Sequence, residues 1–185
     1  MTSFKKLIYI FAAVSALSGT VCLAAYGNFG GDLLYSLTVT AFTFLYHIVV
    51  RIIVAFFVTA VRMHKIDDFS FRLTECEQRL YNMIHIASWK DHVPTYNPSL
   101  FEVKSGSLPT LVHNMRNAEI GHAVIVAFSF LPMAFSGIFG GFAAFAVTSV
   151  LSAFFDLQFV FVQRYNRARV CRIIRMKEKR APRRK

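Results

Sequence analysis

The sequence predicts an all-α fold: a polytopic membrane protein with four transmembrane helices plus a cytoplasmic interfacial amphipathic helix. Three observations carry that prediction. Apolar types make up 55% of the 185 residues, with 20 Phe, and only 17% is charged, against roughly 45–50% apolar and about 25% charged in ordinary globular domains. The apolar residues fall in four blocks, each close to the ~20 residues a helix needs to cross a bilayer. Two of the three links between blocks are short and glycine-rich, as tight hairpin turns require. A water-soluble enzyme with one packed core is excluded, and so is a disordered or fibrous chain, because aliphatics and aromatics dominate. Cys22, Cys76 and Cys171 lie far apart with no CxxC, so neither a disulfide framework nor a zinc site is indicated.

The blocks place the spans at about 7–26, 33–61, 118–135 and 138–162. The first follows Lys5 and Lys6. It has no small-x-small site before a soluble region, and Val21 precedes Cys22 where a lipoprotein signal carries a small residue, so it is expected to remain a span. Turns are expected at Asn28–Asp32 and at Ser136–Gly137. Four spans put both termini on one side. Lys5, Lys6, Arg62, Lys65, Arg116 and the C-terminal tail share that side while the two turns carry no Lys or Arg, so the positive-inside rule makes both termini cytoplasmic.

Residues 62–117 form the cytoplasmic segment. Leu73, Cys76, Leu80, Ile84 and Ala87 recur at helical spacing, which predicts an amphipathic helix lying in the interfacial plane. Pro94, Pro98 and Gly106 mark an ordered loop after it. Pro109 suits the first turn of the third helix, and Pro132 is expected to kink that helix near its far end. Residues 1–172 then make one membrane domain, with 173–185 as a basic tail.

The net charge of +11 is concentrated at the C-terminus. From Arg164 to Lys185 there are eleven Lys/Arg and one acid, Glu178, a local +10. A solvated cytoplasmic tail explains the run, and binding to anionic lipid headgroups is a natural addition. Nucleic acid is not an expected partner, because no folded nucleic-acid module accompanies the tail.

Ionisable groups inside the spans are the informative residues, because an ionised side chain facing lipid costs about 2.5–3.5 kcal/mol and such groups turn inward, pair and often mark function. His47 and Arg51 lie four apart on the second helix, Glu119 and His122 three apart on the third, and Asp156, Gln163 and Arg167 at i, i+7, i+11 on the fourth with Arg164 beside them. All of these polar groups fall in the inner half of the bilayer, and three independent faces agree. The bland alternative is an Arg51–Asp156 ion pair that only locks the bundle, with His47 as a helix-to-helix hydrogen bond. Glu119-x-x-His122 is also the spacing of di-iron ligands in helical bundles, but that use needs a second copy and further carboxylates. No metal is expected. A Glu one turn from a His orients the imidazole as a general base, making Glu119 and His122 the catalytic candidates. Arg164 and Arg167 suit a phosphate or carboxylate fork, or snorkel to headgroups.

At Gln163-Arg164-Tyr165-Asn166-Arg167-Ala168-Arg169 the chain resembles the bacterial glycosyl-4,4'-diaponeurosporenoate acyltransferase family, whose last span ends in Gln-Arg-Tyr-Asn-Arg-Pro-Arg. Trp89-Lys90 is similar to the family's Trp-Lys, and Ala118-Glu119 with His122 to its Ala-Glu-x-x-His. The helix of His47 and Arg51, with Thr95-Tyr96 and Leu100-Phe101, is similar to further relatives. The resemblance covers about residues 40–172. Ala168 stands where the family usually has Pro, so the last helix is expected to run on through Arg169 and Arg172.

The resemblance implies a multi-pass protein of the bacterial cell membrane, a membrane acyltransferase moving a fatty acyl group onto a hydroxyl of a lipid-linked sugar at the cytoplasmic face; the family's own label is carotenoid biosynthesis. No cofactor is expected beyond an acyl donor such as acyl-CoA, acyl carrier protein or acyl phosphate as co-substrate. His122 would act as general base with Glu119 orienting its ring. Arg164 and Arg167 would hold the donor headgroup, Arg51, Tyr165 or Asn166 the developing oxyanion, and Lys90 beside Trp89 would anchor the interfacial segment. His47, Asp156 and Gln163 complete the expected substrate site. Direct transfer is expected, because no Cys or Ser sits in a nucleophile setting. The contrasting reading is a non-catalytic scaffold or lipid-binding protein whose basic tail grips anionic lipid. An oligomer is compatible with four spans.

Overall fold

The computed structural model of the chain describes residues 3–60, 69–94, 98–101 and 107–180. Among these residues no strand occurs, and four helical stretches are long and apolar enough to cross a membrane. The first two are α1 (Ser3–Phe29) and α2 (Asp32–Ala60). They reverse through Gly30 and Gly31, at φ 66° and 102°, a left-handed backbone that glycine adopts without a Cβ penalty. Leu17, Ile10 and Val21 of α1 turn out from the bundle, 58–68% exposed, as apolar side chains solvated by lipid do.

The segment after α2 folds as α3 (Glu75–Met83) and α4 (Ile86–Trp89), not as the single helix predicted over Leu73–Ala87. Thr74 and Glu77 close a capping box that starts α3. His85, at φ 50°, breaks the helix, and the Trp89 indole N–H donates to the Ile84 carbonyl across the break at 2.9 Å. The packed face also differs from the predicted stripe. Tyr81 and Ile86 are buried with Val162, and Glu77 turns inward, whereas Cys76, Leu80 and Met83 are exposed. That outer apolar face is the one an interfacial lipid layer would cover.

The third stretch is α5 (Leu108–Phe128), α6 (Leu131–Ala134) and α7 (Ser136–Phe139). Ser107 caps α5 and Pro109 sits in its first turn. The helix ends at Phe128, four residues before Pro132, whose missing N–H cannot continue the ladder. The reversal expected at Ser136–Gly137 lies instead at Gly140 and Gly141, both with φ near 65°. The Ser136 hydroxyl donates to the Met133 carbonyl at 2.7 Å, and the chain stays helical there. Then α8 (Phe142–Arg180) runs unbroken for 39 residues, about 58 Å at 1.5 Å per residue. It passes through Ala168 and through the predicted limits at 162 and 173, so the stretch expected as a tail begins as helix.

Helix α5 lies along α8, α1 along α2, and α2 touches both α5 and α8. The Tyr46 hydroxyl donates to the Phe128 carbonyl at 2.9 Å and the Tyr35 hydroxyl to the Phe139 carbonyl at 2.7 Å. At the basic end of the molecule, Val112, Cys171 and Ile174 form a buried cluster flanked by Phe69 and Phe71. The expected positive-side residues Arg62 and Lys65, and Thr95–Tyr96 of the resemblance, lie outside the described residues.

Candidate functional site

The polar side chains of α2, α5 and α8 converge, but into two clusters and not one chamber. The deeper is centred on Asp156, whose side chain is 1% exposed. Arg51 of α2 pairs with its Oδ2 through Nη2, and His122 of α5 bonds its Oδ1 through Nδ1 at 2.9 Å. A carboxylate already paired with a guanidinium accepts hydrogen bonds, so the His122 Nδ1 carries the proton and Nε2 is left as the basic nitrogen. The imidazole stacks on Phe159, centroids 4.5 Å apart, and its side chain is 27% exposed.

Arg51 is fixed from several sides. Its Nη1 donates to the His47 carbonyl at 2.8 Å, and its Nη2 to the Ser152 hydroxyl at 2.9 Å as well as to Asp156. The Ser129 hydroxyl donates to the Ile125 carbonyl at 2.9 Å and lies 3.0 Å from that of Ser152. Donors and acceptors therefore order as Arg51 to Ser152 to Ser129 to Ile125, a chain joining α2, α8 and α5. One turn further in, His47 Nε2 and Ser149 Oγ are buried with no protein partner, as is Arg51 Nε.

The second cluster sits about 12–16 Å along α8 from Asp156. Glu119 of α5, 8% exposed overall, accepts from Arg164 at 2.7 Å through Oε1 and from Arg167 at 2.7 and 2.9 Å through Oε2. Arg164 also donates to Glu77 of α3 at 2.5 Å. Phe71 lies against both guanidinia, 3.5 Å from Arg167 and 5.0 Å from Arg164. Burial would raise the Glu77 carboxyl, but hydrogen bonds from Thr74 and Arg164 outweigh it and hold the group below its ordinary value. Tyr81, packed against Phe161 and Tyr165, has its hydroxyl pushed up to about 12, by burial first and then by the Glu77 charge.

Two expectations are corrected here. Glu119 does not orient His122: the two lie three apart on α5 yet face different partners, and Asp156, 34 residues away, holds the imidazole. Arg164 and Arg167 are not open forks, because Glu119 and Glu77 already fill them. Trp89 packs into the Tyr81–Val162 cluster and Lys90 bonds its neighbour Asp91 at 2.5 Å. Tyr165 belongs to the aromatic packing, Asn166 is half-buried, and the Gln163 Oε1 is buried without a partner. An apolar groove of about 410 Å3 runs between α2 and α5, lined by Val54, Phe57, Ile120, Val124 and their neighbours, and neither Glu119 nor His122 lines it. Sequence reasoning missed Ser129, Ser152, Glu77 and Phe71. The signal for one of them was present: Ser149, Ser152 and Asp156 at i, i+3, i+7 mark one polar face of α8.

A family model described as glycosyl-4,4'-diaponeurosporenoate acyltransferase matches residues 62–176. That stretch contains His122, Asp156 and the whole second cluster, and leaves out α1 and α2 with His47 and Arg51. No curated protein and no solved structure matches the chain.

Proposed function

The chain belongs to the glycosyl-4,4'-diaponeurosporenoate acyltransferase family, and from that premise we propose that it is a membrane acyltransferase that esterifies a hydroxyl of a lipid-linked sugar at the cytoplasmic face. The observation that carries this reading is the Arg51–Asp156–His122 relay, a buried carboxylate fixing one nitrogen of a partly exposed imidazole. That arrangement is what an acyl transfer from a thioester to an alcohol needs.

The acceptor hydroxyl gives its proton to His122 Nε2 as its oxygen attacks the acyl carbonyl carbon. The tetrahedral intermediate collapses, the carbon–sulfur bond breaks, and the imidazolium returns the proton to the leaving thiolate. Asp156 is a positioning residue: it selects the Nδ1–H tautomer and stabilises the imidazolium as it forms. Arg51, Ser152 and Ser129 position Asp156 in turn. Arg51 is therefore assigned to holding the carboxylate, with the oxyanion left to other donors. The anionic part of the donor meets Arg164 by exchanging with Glu77, whose side chain is 23% exposed against 11% for Glu119. The bilayer supplies the acceptor lipid, and both termini face the cytosol.

The test uses the protein purified into lipid nanodiscs, a labelled acyl thioester and a panel of glycolipids, glycosylated carotenoids among them. Labelled ester forms with the wild type and falls by about 10²–10⁴ with His122→Gln. Equal turnover by the two proteins would remove the assignment.

A further inference from the structure

We propose that the exposed ridge of α8 formed by Arg169, Arg172, Ile173, Met176, Lys179 and Arg180 docks a soluble acidic carrier protein that delivers the acyl group as a thioester; this rests on the acyl-transfer reading above. The first argument is reach. About 20 residues of α8, from Phe142 to Phe161, cross a hydrocarbon core of roughly 30 Å. The amphipathic α3–α4 pair packs at Val162 and marks the same boundary. Residues 163–180 then extend about 27 Å further. The headgroup layer is only about 5–8 Å thick on each side, so Arg180 stands some 20 Å beyond it, more than two screening lengths of about 8 Å at physiological salt. The last turn of α8 therefore stands in water clear of the headgroups, while Arg169 and Arg172 lie about 3–10 Å beyond them, within reach of a carrier docked at the membrane surface.

The second argument is rigidity. The inner face of this extension is fixed: Cys171 and Ile174 are buried against Val112, and the Arg175 guanidinium donates to the carbonyls of Phe69 and Phe71 at 2.8 and 3.0 Å. A docking surface held this way loses little entropy on binding.

The third argument is the composition of the outer face. At 100° per residue the six ridge residues fall within about 120°, opposite the buried side. Ile173 and Met176, 40% and 42% exposed, form an apolar centre, and four cations rim it. The only acid of this stretch, Glu178, lies on the other side of the helix. An apolar centre with a charged rim is the anatomy of a protein interface. The cations span about 16 Å from Arg169 to Arg180, long for the phosphates of a single nucleotide, so the complementary partner is an acidic macromolecule. The apolar centre favours a protein over a nucleic acid.

The experiment uses the full chain in nanodiscs of zwitterionic lipid, with an acidic acyl carrier protein bearing a fatty acyl thioester as one probe and acyl-CoA as the other. Carrier binding is read by fluorescence anisotropy and ester formation by labelled product. Arg172→Glu is expected to weaken carrier binding about tenfold and raise its KM alike. Lys177→Glu, the same charge change off the ridge, alters either by less than twofold, and transfer from acyl-CoA is unchanged by both. Melting temperatures control for folding. The proposal is overturned if the carrier binds both variants as tightly as wild type, or does not bind the wild type at all. It is also overturned if Arg172→Glu changes only binding to phosphatidylglycerol vesicles or to RNA. Ridge-dependent carrier binding with no ester from either donor keeps the docking surface and removes acyl transfer. Turnover of acyl-CoA with no carrier binding does the reverse.

Discussion

The two polar clusters on α8 use the same residue types to opposite ends. The boundary cluster sets two carboxylates, Glu77 and Glu119, against two guanidinia, Arg164 and Arg167, so its charges balance and each guanidinium is held through two of its nitrogens. The deep cluster sets one carboxylate, Asp156, between a guanidinium and an imidazole, and leaves Nε2 of a 27% exposed ring to other partners. A charge-balanced network fixes helices and can at most exchange one anion for another; the deep one has a basic nitrogen left over. The proposed chemistry is for that reason assigned to His122, and the pairing of α3, α5 and α8 to Glu119.

The largest effect that sharpens this contrast comes from Asp156→Ala, which leaves the half-buried Arg51 without its counter-charge. It is expected to cost about 3–5 kcal/mol of stability in detergent unfolding and to abolish transfer. Replacing both members, Arg51→Met with Asp156→Leu, should return stability to near wild type while transfer stays absent. Recovery of activity in that double variant would reduce the pair to a structural lock. Glu119→Gln comes next, at about 1–3 kcal/mol, since it weakens the acceptor of two arginines while Glu77 still holds one of them. Turnover should drop less than tenfold, and a larger loss at constant stability would move the chemistry to the boundary.

The smallest effect is at Glu77, whose partly exposed pair with Arg164 is worth about 0.2–1 kcal/mol. Its carboxyl is held below the ordinary 4.5, so its contribution is complete above that value and is lost as pH falls through the lower folded value. Trp89, the one tryptophan in the chain, packs on the same α3–α4 unit. Its fluorescence should shift on acidification below pH 4.5 in the wild type and lose that step in Glu77→Gln. An unchanged acid transition in the variant would show that the Arg164–Glu77 pair does not hold the α3–α4 unit in place.

The four long helices were legible because twenty-residue apolar runs have few alternatives, and Gly30–Gly31 was legible as a turn. Ser136–Gly137 misled, because a glycine beside a serine signals a turn less strongly than two consecutive left-handed glycines four residues on. The interfacial stripe was legible as apolar, and Cys76 and Leu80 face out as a helix lying in the interfacial plane requires; the second face, where the bundle buries Tyr81 with Val162, was not legible, because its partner comes from another helix. His122 was found from its spacing to Glu119, yet its partner came from another helix. Residues three apart on a helix differ by about 60° in direction, enough for Glu119 to meet Arg164 and Arg167 while His122 meets Asp156. Such pairings across helices depend on rotation and register, which one chain's periodicity does not contain.

The most direct measurement is a double-variant cycle on single-turnover ester formation with His122→Gln and Asp156→Asn. If the carboxylate acts only through the imidazole, the double variant is no slower than His122→Gln alone, because residues that act as a unit are not additive. Losses that multiply, or a wild-type rate in His122→Gln, would contradict the account.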